Sequence, residues 1–156
     1  ISKKKEIKLV SGGTKRKDSV LNGLLLTKKT NELVCIHDVA RPLIKASLID
    51  KAIKESVGFD GCILAMPSTD TVKIVEGDIV HNTINRNSVW MAQTPQVFRK
   101  DKLLKAYREN SLVEVTDEST LMELMGFSIK VINGDMNNIK ITSKVDFEIA
   151  KLIMEN

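Results

Sequence analysis

Leu33-Val34-Cys35-Ile36-His37-Asp38-Val39-Ala40-Arg41-Pro42 is the stretch on which the reading of this sequence turns. Four apolar residues run straight into a polar cluster, and Pro42 stops the run. A short apolar run bounded by turn signals reads as a strand covered on both faces, as in a parallel sheet. The cluster then falls at the strand's carboxyl end, where open α/β sheets bind ligands. Asp38 and Arg41 place opposite charges there. That suits either a site of chemistry or a solvated loop with a local ion pair.

Upstream, residues 7–10 alternate briefly and meet Ser11-Gly12-Gly13, a strand running into a glycine turn. After Thr14-Lys15-Arg16-Lys17-Asp18-Ser19, Val20, Leu21, Leu24 and Leu25 recur at helical spacing. The unpaired backbone N–H groups at such a turn would welcome a phosphate or a nucleotide edge. Ser19, in the helix's first turn, is either part of that site or a capping residue. Downstream, Ser47 is placed to cap a helix carrying Leu48, Ile49, Ala52 and Ile53 on one face, ended by Gly58 and Gly61. Residues 62–66 are a second apolar strand, and strand, helix, strand at this spacing predicts a right-handed βαβ unit. The fold class is therefore α/β, a mostly parallel sheet with helices on both faces.

The pattern then changes. Residues 71–75 and 79–84 flank Glu76-Gly77-Asp78 with no helix between them, which predicts an antiparallel hairpin protruding as an arm of about residues 69–93. Trp90, the only tryptophan, sits at its base as core or interface. Asp101 is expected to cap a helix with Leu103, Leu104 and Tyr107 inward. Thr116-Asp117 caps another through Leu121, Leu124 and Met125, ended by Gly126. Residues 127–132 read as a strand. Ser143 and Asp146 open a last helix with a variant capping box.

Composition bounds the function. At 156 residues, 42% hydrophobic and 28% charged, the chain reads as one soluble domain. Lys and Arg number 24 against 20 Asp and Glu, a net charge of +4. That excess is too weak and scattered for nucleic acid but suits a small anionic substrate. Its one basic run, Lys3-Lys4-Lys5, reads as a solvated helix end. Cys35 and Cys62 lie in apolar runs and read as reduced core residues of a cytoplasmic protein. No apolar run approaches the ~20 residues of a membrane span, and no secretory signal is read before the first strand. The chain opens on Ile1, without Met, like the later part of something longer.

The polar residues at predicted strand ends are Gly12, Gly13, Arg16 and Ser19, then Asp38 and Arg41, then Asp70 and Thr71. Arg86, Thr94, Thr116, Asp117 and Lys140 follow. In a parallel sheet these ends share one edge, so most would converge. The set is rich in Arg, Lys and Thr and has no Cys/His ligand spacing. That is phosphate chemistry, in which charge neutralisation and alignment matter more than covalent help. His37 and His81 do not pair for zinc, and His37 reads as a hydrogen-bonded structural histidine rather than a base.

Six motifs occur in order: Gly12-Gly13 through Ser19 to Gly23-Leu24; His37-Asp38-Val39-Ala40-Arg41-Pro42; Asp70-Thr71-Val72-Lys73; Arg86 with Trp90 and Gln93-Thr94-Pro95-Gln96; Thr116-Asp117-Glu118; and Asn138-Ile139-Lys140-Ile141-Thr142. Together they resemble the 2-C-methyl-D-erythritol 4-phosphate cytidylyltransferases of the non-mevalonate isoprenoid pathway, over about residues 7–153. The resemblance implies a Rossmann-like nucleotidyltransferase sheet and transfer of CMP from CTP to the sugar phosphate, with Mg²⁺. It implies that Gly12, Gly13 and Ser19 hold the nucleotide, and that Asp38 lies between nucleotide and sugar phosphate, near the Mg²⁺-bound triphosphate. Arg16 and Lys140 would offset developing charge. Arg41, Thr71, Thr116 and Lys140 would bind substrate. Arg86 and Thr94 would be arm residues reaching the partner's substrate in a homodimer that exchanges arms.

The family's opening strand, Gly-rich loop and Lys have no match in this sequence, so the first βα units are expected to be missing from a single incomplete domain spanning 1–156. Asn137 stands where an acidic residue is common, with Asp135 close by. The resemblance implies a cytoplasmic or plastid-type location and no nucleic-acid or membrane partner. Two alternatives stay open: a ribitol 5-phosphate cytidylyltransferase, or a dimerising substrate-binding module without activity.

Overall fold

A computed structural model describes residues 6–155; the Lys3-Lys4-Lys5 run lies outside them. Helix α1 (Arg16–Leu25) is followed by β1 (Leu33–Ile36), α2 (Ala46–Glu55) and β2 (Gly61–Pro67). The hairpin strands are β3 (Lys73–Glu76) and β4 (Ile79–Thr83). A 3₁₀ turn (Arg86–Ser88) leads into the long β5 (Trp90–Arg99), then α3 (Lys100–Glu109), α4 (Glu118–Leu124), β6 (Ile129–Asn133) and α5 (Lys144–Glu155).

The main sheet has the order β1-β5-β2-β6. β5 is antiparallel to both β1 and β2, whereas β2 and β6 pair in parallel. β1, β2 and β6 thus run the same way, as the α/β reading requires. The expected direct pairing of the 33–36 and 62–66 strands is replaced by an intervening β5. After the arm, the chain re-enters the sheet from the opposite end and takes the place between them. β5 escaped the sequence reading because Gln93, Thr94, Pro95 and Gln96 look like a loop. All four are buried.

Core side chains fall on two sides of this sheet, as alternation along a strand demands. Ile63 and Phe98 pack with Leu24, Val34, Leu103, Tyr107, Leu121 and Met122 under α1, α3 and α4. Cys62, Leu64 and Val97 pack with Ala52 and Ile132 on the α2 side. Gly61 lets β2 and β5 close: a Cβ there would stand 2.4 Å from Phe98 Cδ1 and 2.9 Å from Val97 O.

Several local expectations change. Residues 7–10 form no strand, since among the described residues no ladder lies beside them, and Ile7 and Leu9 are exposed. β1 is only partly covered on its second face: Val34 is buried on the α1 side and Leu33 is half-buried on the α2 side, but Cys35 is exposed, whereas Cys62 is buried. α2 begins at Ala46 with Lys45 as its N-cap, so Ser47 lies inside it. α3 has Arg99 as N-cap, with Asp101 in its first turn beside the helix's positive end. Asp117 caps α4 by accepting from Thr120 N at 3.1 Å. Gly126, at φ 69°, closes that helix: Phe127 N donates to Met122 O and Gly126 N to Glu123 O, a Schellman pairing. That closure uses Phe127 and delays β6 to Ile129.

Candidate active site

The carboxyl end of β1 opens onto a cleft of about 180 Å³ lined by Arg16, Asp38, Arg41, Ala92, Gln93, Thr94, Gln96, Thr116, Asp117 and Lys140. β1 delivers Asp38 and Arg41, whose tight turn is closed by Arg41 N donating to Asp38 O at 2.9 Å. The start of α1 supplies Arg16, the loop before α4 supplies Thr116, and the segment after β6 supplies Lys140. Ile141 N binds Ala40 O at 2.8 Å and so stitches that last segment to the β1 loop.

Asp38 is the centre of charge. Lys140 Nζ lies 3.1 Å from Asp38 Oδ2, Arg16 Nη2 3.6 Å from Oδ1, and Arg41 Nε 4.0 Å from Oδ2. Partial burial disfavours the carboxylate's charge. The hydrogen bond and charge of Lys140, with the charges of Arg16 and Arg41, outweigh it and hold its pKa below the ordinary Asp value. Arg41 goes the other way: burial pulls its pKa down against the opposing pull of Asp38.

Arg16 is shared. Its Nη1 forks onto Glu118 Oε1 and Oε2 at 2.8 and 3.0 Å, and Tyr107 Oη donates to Glu118 Oε1 at 3.0 Å. Glu118 is fully buried. Burial disfavours the Arg16 charge, and the Glu118 carboxylate overrides it to raise the pKa.

β5 bulges where it passes Asp38. Ile63 pairs with Gln96 but Leu64 with Gln93, so Thr94 and Pro95 leave the ladder. A bulge re-aims a side chain, and Pro has no N–H to lose there. Thr94 Oγ1 accepts from Asp38 N and lies 3.0 Å from His37 Nδ1. Arg41 O can only accept, so in the neutral ring Nδ1 is the bare nitrogen and accepts the Thr94 hydroxyl hydrogen. His37 Nε2 carries the ring hydrogen and donates to Arg41 O at 2.9 Å. His37 is a bracket for the Asp38–Arg41 turn.

Of the strand-end residues named from sequence, Arg16, Asp38, Arg41, Thr94, Thr116, Asp117 and Lys140 line the cleft. Gly12, Gly13 and Ser19 do not line it. They stand just before and within α1, where Gly13 N donates to Ser19 Oγ at 2.9 Å and a Gly13 Cβ would meet Asp18 Cβ at 2.2 Å. Lys15, not Ser19, is the N-cap. Thr71 and Arg86 stand at the arm, with Arg86 Nη1 on Thr69 O at 2.9 Å. Thr94 is a sheet residue serving its own chain's Asp38, not an arm residue. Asp135 pairs with Lys45 at 2.8 Å, away from the cleft lining.

Sequence reasoning gave no individual site role to Glu118, Tyr107, Gln93, Gln96 or Asn138. The available signal was polarity without a turn: Gln93 and Gln96 lead straight into Val97-Phe98, and Glu118 precedes an apolar helix face.

A sequence model of the 2-C-methyl-D-erythritol 4-phosphate cytidylyltransferases matches residues 1–156. A cytidylyltransferase of that name from Caldanaerobacter subterraneus is 41% identical over 154 residues, covering 96% of this chain and 67% of that protein. A bifunctional IspD/IspF enzyme from Desulfotalea psychrophila is 43% identical over 145 residues, 93% of this chain and 38% of that one. The crystal structure of 4-diphosphocytidyl-2C-methyl-D-erythritol synthase from Anaerococcus prevotii superposes with a TM-score of 0.91 at 34% identity, covering 99% of this chain and 73% of that chain. The chain thus spans about two thirds of the single-function relative and 38% of the bifunctional one. Whole-length match, identity and superposition agree that this chain belongs to the 2-C-methyl-D-erythritol 4-phosphate cytidylyltransferase family.

Proposed function

We propose that the protein carrying this chain transfers CMP from CTP to 2-C-methyl-D-erythritol 4-phosphate, releasing pyrophosphate, as a step in making isoprenoid precursors. The observation that carries this reading is the set of cations, Lys140, Arg16 and Arg41, drawn around one carboxylate in the cleft. A phosphate oxygen of the sugar phosphate attacks the α-phosphorus in line, and the bond to the β-phosphate oxygen breaks. Charge grows on the non-bridging oxygens, and fixed cations stabilise it there more than in the ground state. Lys140, whose side chain is 45% exposed, is the cation that can leave Asp38 for a phosphate. Arg16, tied to Glu118, keeps its place and offers a steady positive field.

Magnesium is proposed to enter with CTP. Among the described residues no three His, Cys, Asp or Glu gather to hold a metal alone. Asp117 spends its carboxylate on Gln96, Ser119 and Thr120, whereas Asp38 would have an oxygen to offer a cation once Lys140 moves onto a phosphate. One carboxylate plus substrate phosphates is the usual magnesium arrangement, and Asp38 fits it. Bound there, the ion would neutralise triphosphate charge. Gly12, Gly13 and Ser19 are proposed to hold the nucleoside, and Thr71 and Thr116 the sugar phosphate.

We also propose a homodimer built by exchanged arms, in which Arg86 serves the partner's substrate. No described helix is long and apolar enough to cross a membrane. The deciding assay follows pyrophosphate release by the full-length protein with CTP and each of two acceptors. Turnover with methylerythritol phosphate is expected; turnover with ribitol 5-phosphate alone would reverse the assignment.

A further inference from the structure

Asn138 is fully buried, yet it sits in the same short segment as the half-exposed Lys140. Both hydrogens of its amide are used, donated to Thr94 O at 2.9 Å and to Gln93 Oε1 at 3.2 Å. Its backbone carbonyl takes Arg41 Nη1 at 2.7 Å. Gln93 completes a clamp from the β5 side: its Nε2 donates to Asp135 O at 3.0 Å, and its Oε1 faces Asp135 N at 3.4 Å. Gly134 makes room for this grip, because a Cβ there would lie 2.3 Å from Gln93 Oε1.

Two buried polar atoms at this junction, Asn138 Oδ1 and Arg41 Nε, have no hydrogen-bond partner. Such atoms cost stability, and an apolar pair of similar shape would fill a core without that cost. The amide is therefore explained by what it aims, not by the space it fills.

We propose that Asn138 is a positioning residue for cytidylyl transfer: its amide, locked to β5 through Thr94 and Gln93, sets Lys140 and Arg41 against Oδ2 of Asp38 before substrate arrives. The chemistry rests on the function proposed above; the geometry does not. Displacement of a reacting or charge-stabilising group by about 1 Å can cost about 100-fold in rate. Asn138→Asp keeps the shape, removes both N–H donors, and turns the contacts with Thr94 O and Gln93 Oε1 into oxygen–oxygen repulsion.

In the full-length protein, Asn138→Asp is expected to lower kcat about 100-fold and raise KM for the sugar phosphate, with KM for CTP unchanged. In a Lys140→Ala background the same substitution should add less than about threefold, because groups acting as a unit are non-additive. A merely structural role predicts the opposite: a full multiplicative loss on top of Lys140→Ala, or a kcat per folded molecule equal to wild type. Either result overturns the proposal. Should Asn138→Asp fail to fold, Gln93→Glu loads the same clamp from β5 and must show the same kcat and KM split. Should wild type turn over neither acceptor, the assigned function fails, and a crystal structure of Asn138→Asp then decides the positioning. A 134–140 turn moved off β5 supports it, and Lys140 Nζ still 3.1 Å from Asp38 overturns it.

Discussion

Arg16 and Asp38 show how one side chain can be held by another that never meets a ligand. Glu118 is fully buried, forked by Arg16 and bonded by Tyr107. Burial, then the Glu118 charge, drive the Tyr107 pKa upward, so its hydroxyl stays a donor across any working pH. Removing one partner of a fully buried pair costs about 3–5 kcal/mol. Arg16 keeps 35% of its side chain exposed, so Glu118→Gln should cost less, about 2 kcal/mol by urea melting. It should also free Arg16 to swing onto Asp38, lowering turnover while leaving the cleft assembled. Far from the cleft, Asp146 accepts from Thr142 N and Oγ1 and from Ser143 N, which pull its pKa down to about 2. A depressed carboxylate stabilises above its unfolded pKa of about 3.9 and loses that as pH falls through the folded value. Asp146→Ala should therefore lower Tm by about 2–4 °C at neutral pH, with the gap closing between about pH 4 and pH 2 in a thermal scan.

At the scale of elements, the packing of glycines predicts opposite outcomes for the same substitution. Gly61→Ala drives a Cβ into Phe98 and the Val97 carbonyl across the β2–β5 ladder. It should destabilise by about 1–3 kcal/mol as overpacking does. Gly23 lies within α1 with nothing near a new Cβ, so Gly23→Ala should stabilise by about 0.5–1 kcal/mol. Chemical denaturation of the two variants reads both signs. The same elements show what a sequence can and cannot disclose. β1, β2 and the helix between them were legible because apolar runs and periodic faces report burial. The capping residues Asp117 and Asp146 were legible because their hydrogen bonds are local. β5 was not, because Gln93, Thr94 and Gln96 are buried by partners distant in sequence: Asn138, His37 and Asp117. Its insertion between β1 and β2 follows from the arm's return path, which no local pattern encodes. For the site, Asp38, Arg41 and Lys140 were readable as charges at strand ends. The groups that hold them, Glu118, Gln93 and Asn138, were not.

For the whole molecule, the arm is a feature that a single chain leaves unexplained. Every residue of β3 and β4 is exposed, so the hairpin does not fold back on its own domain. Ile74, Val75, Ile79 and Val80 lie between 40% and 75% exposed on it. An isolated two-stranded ribbon is marginal in water. A C₂ pair of arms would bury this surface isologously and carry Arg86 from the arm's base toward the partner's cleft. Sedimentation at micromolar concentration should then give a dimer, and replacing residues 73–83 by a short Gly-Ser turn should give a monomer. Arg86→Ala should weaken sugar-phosphate binding by about 1.5–3 kcal/mol, the range for a hydrogen bond to a charged group. Mixing Arg86→Ala with Asp38→Ala chains supplies the sharper test. If Arg86 acts across the interface, one of the two clefts in each mixed dimer receives an intact Asp38 and an intact partner Arg86, and activity returns. If Arg86 serves its own cleft, each mixed dimer carries one damaged residue at every site and stays as inactive as its parents.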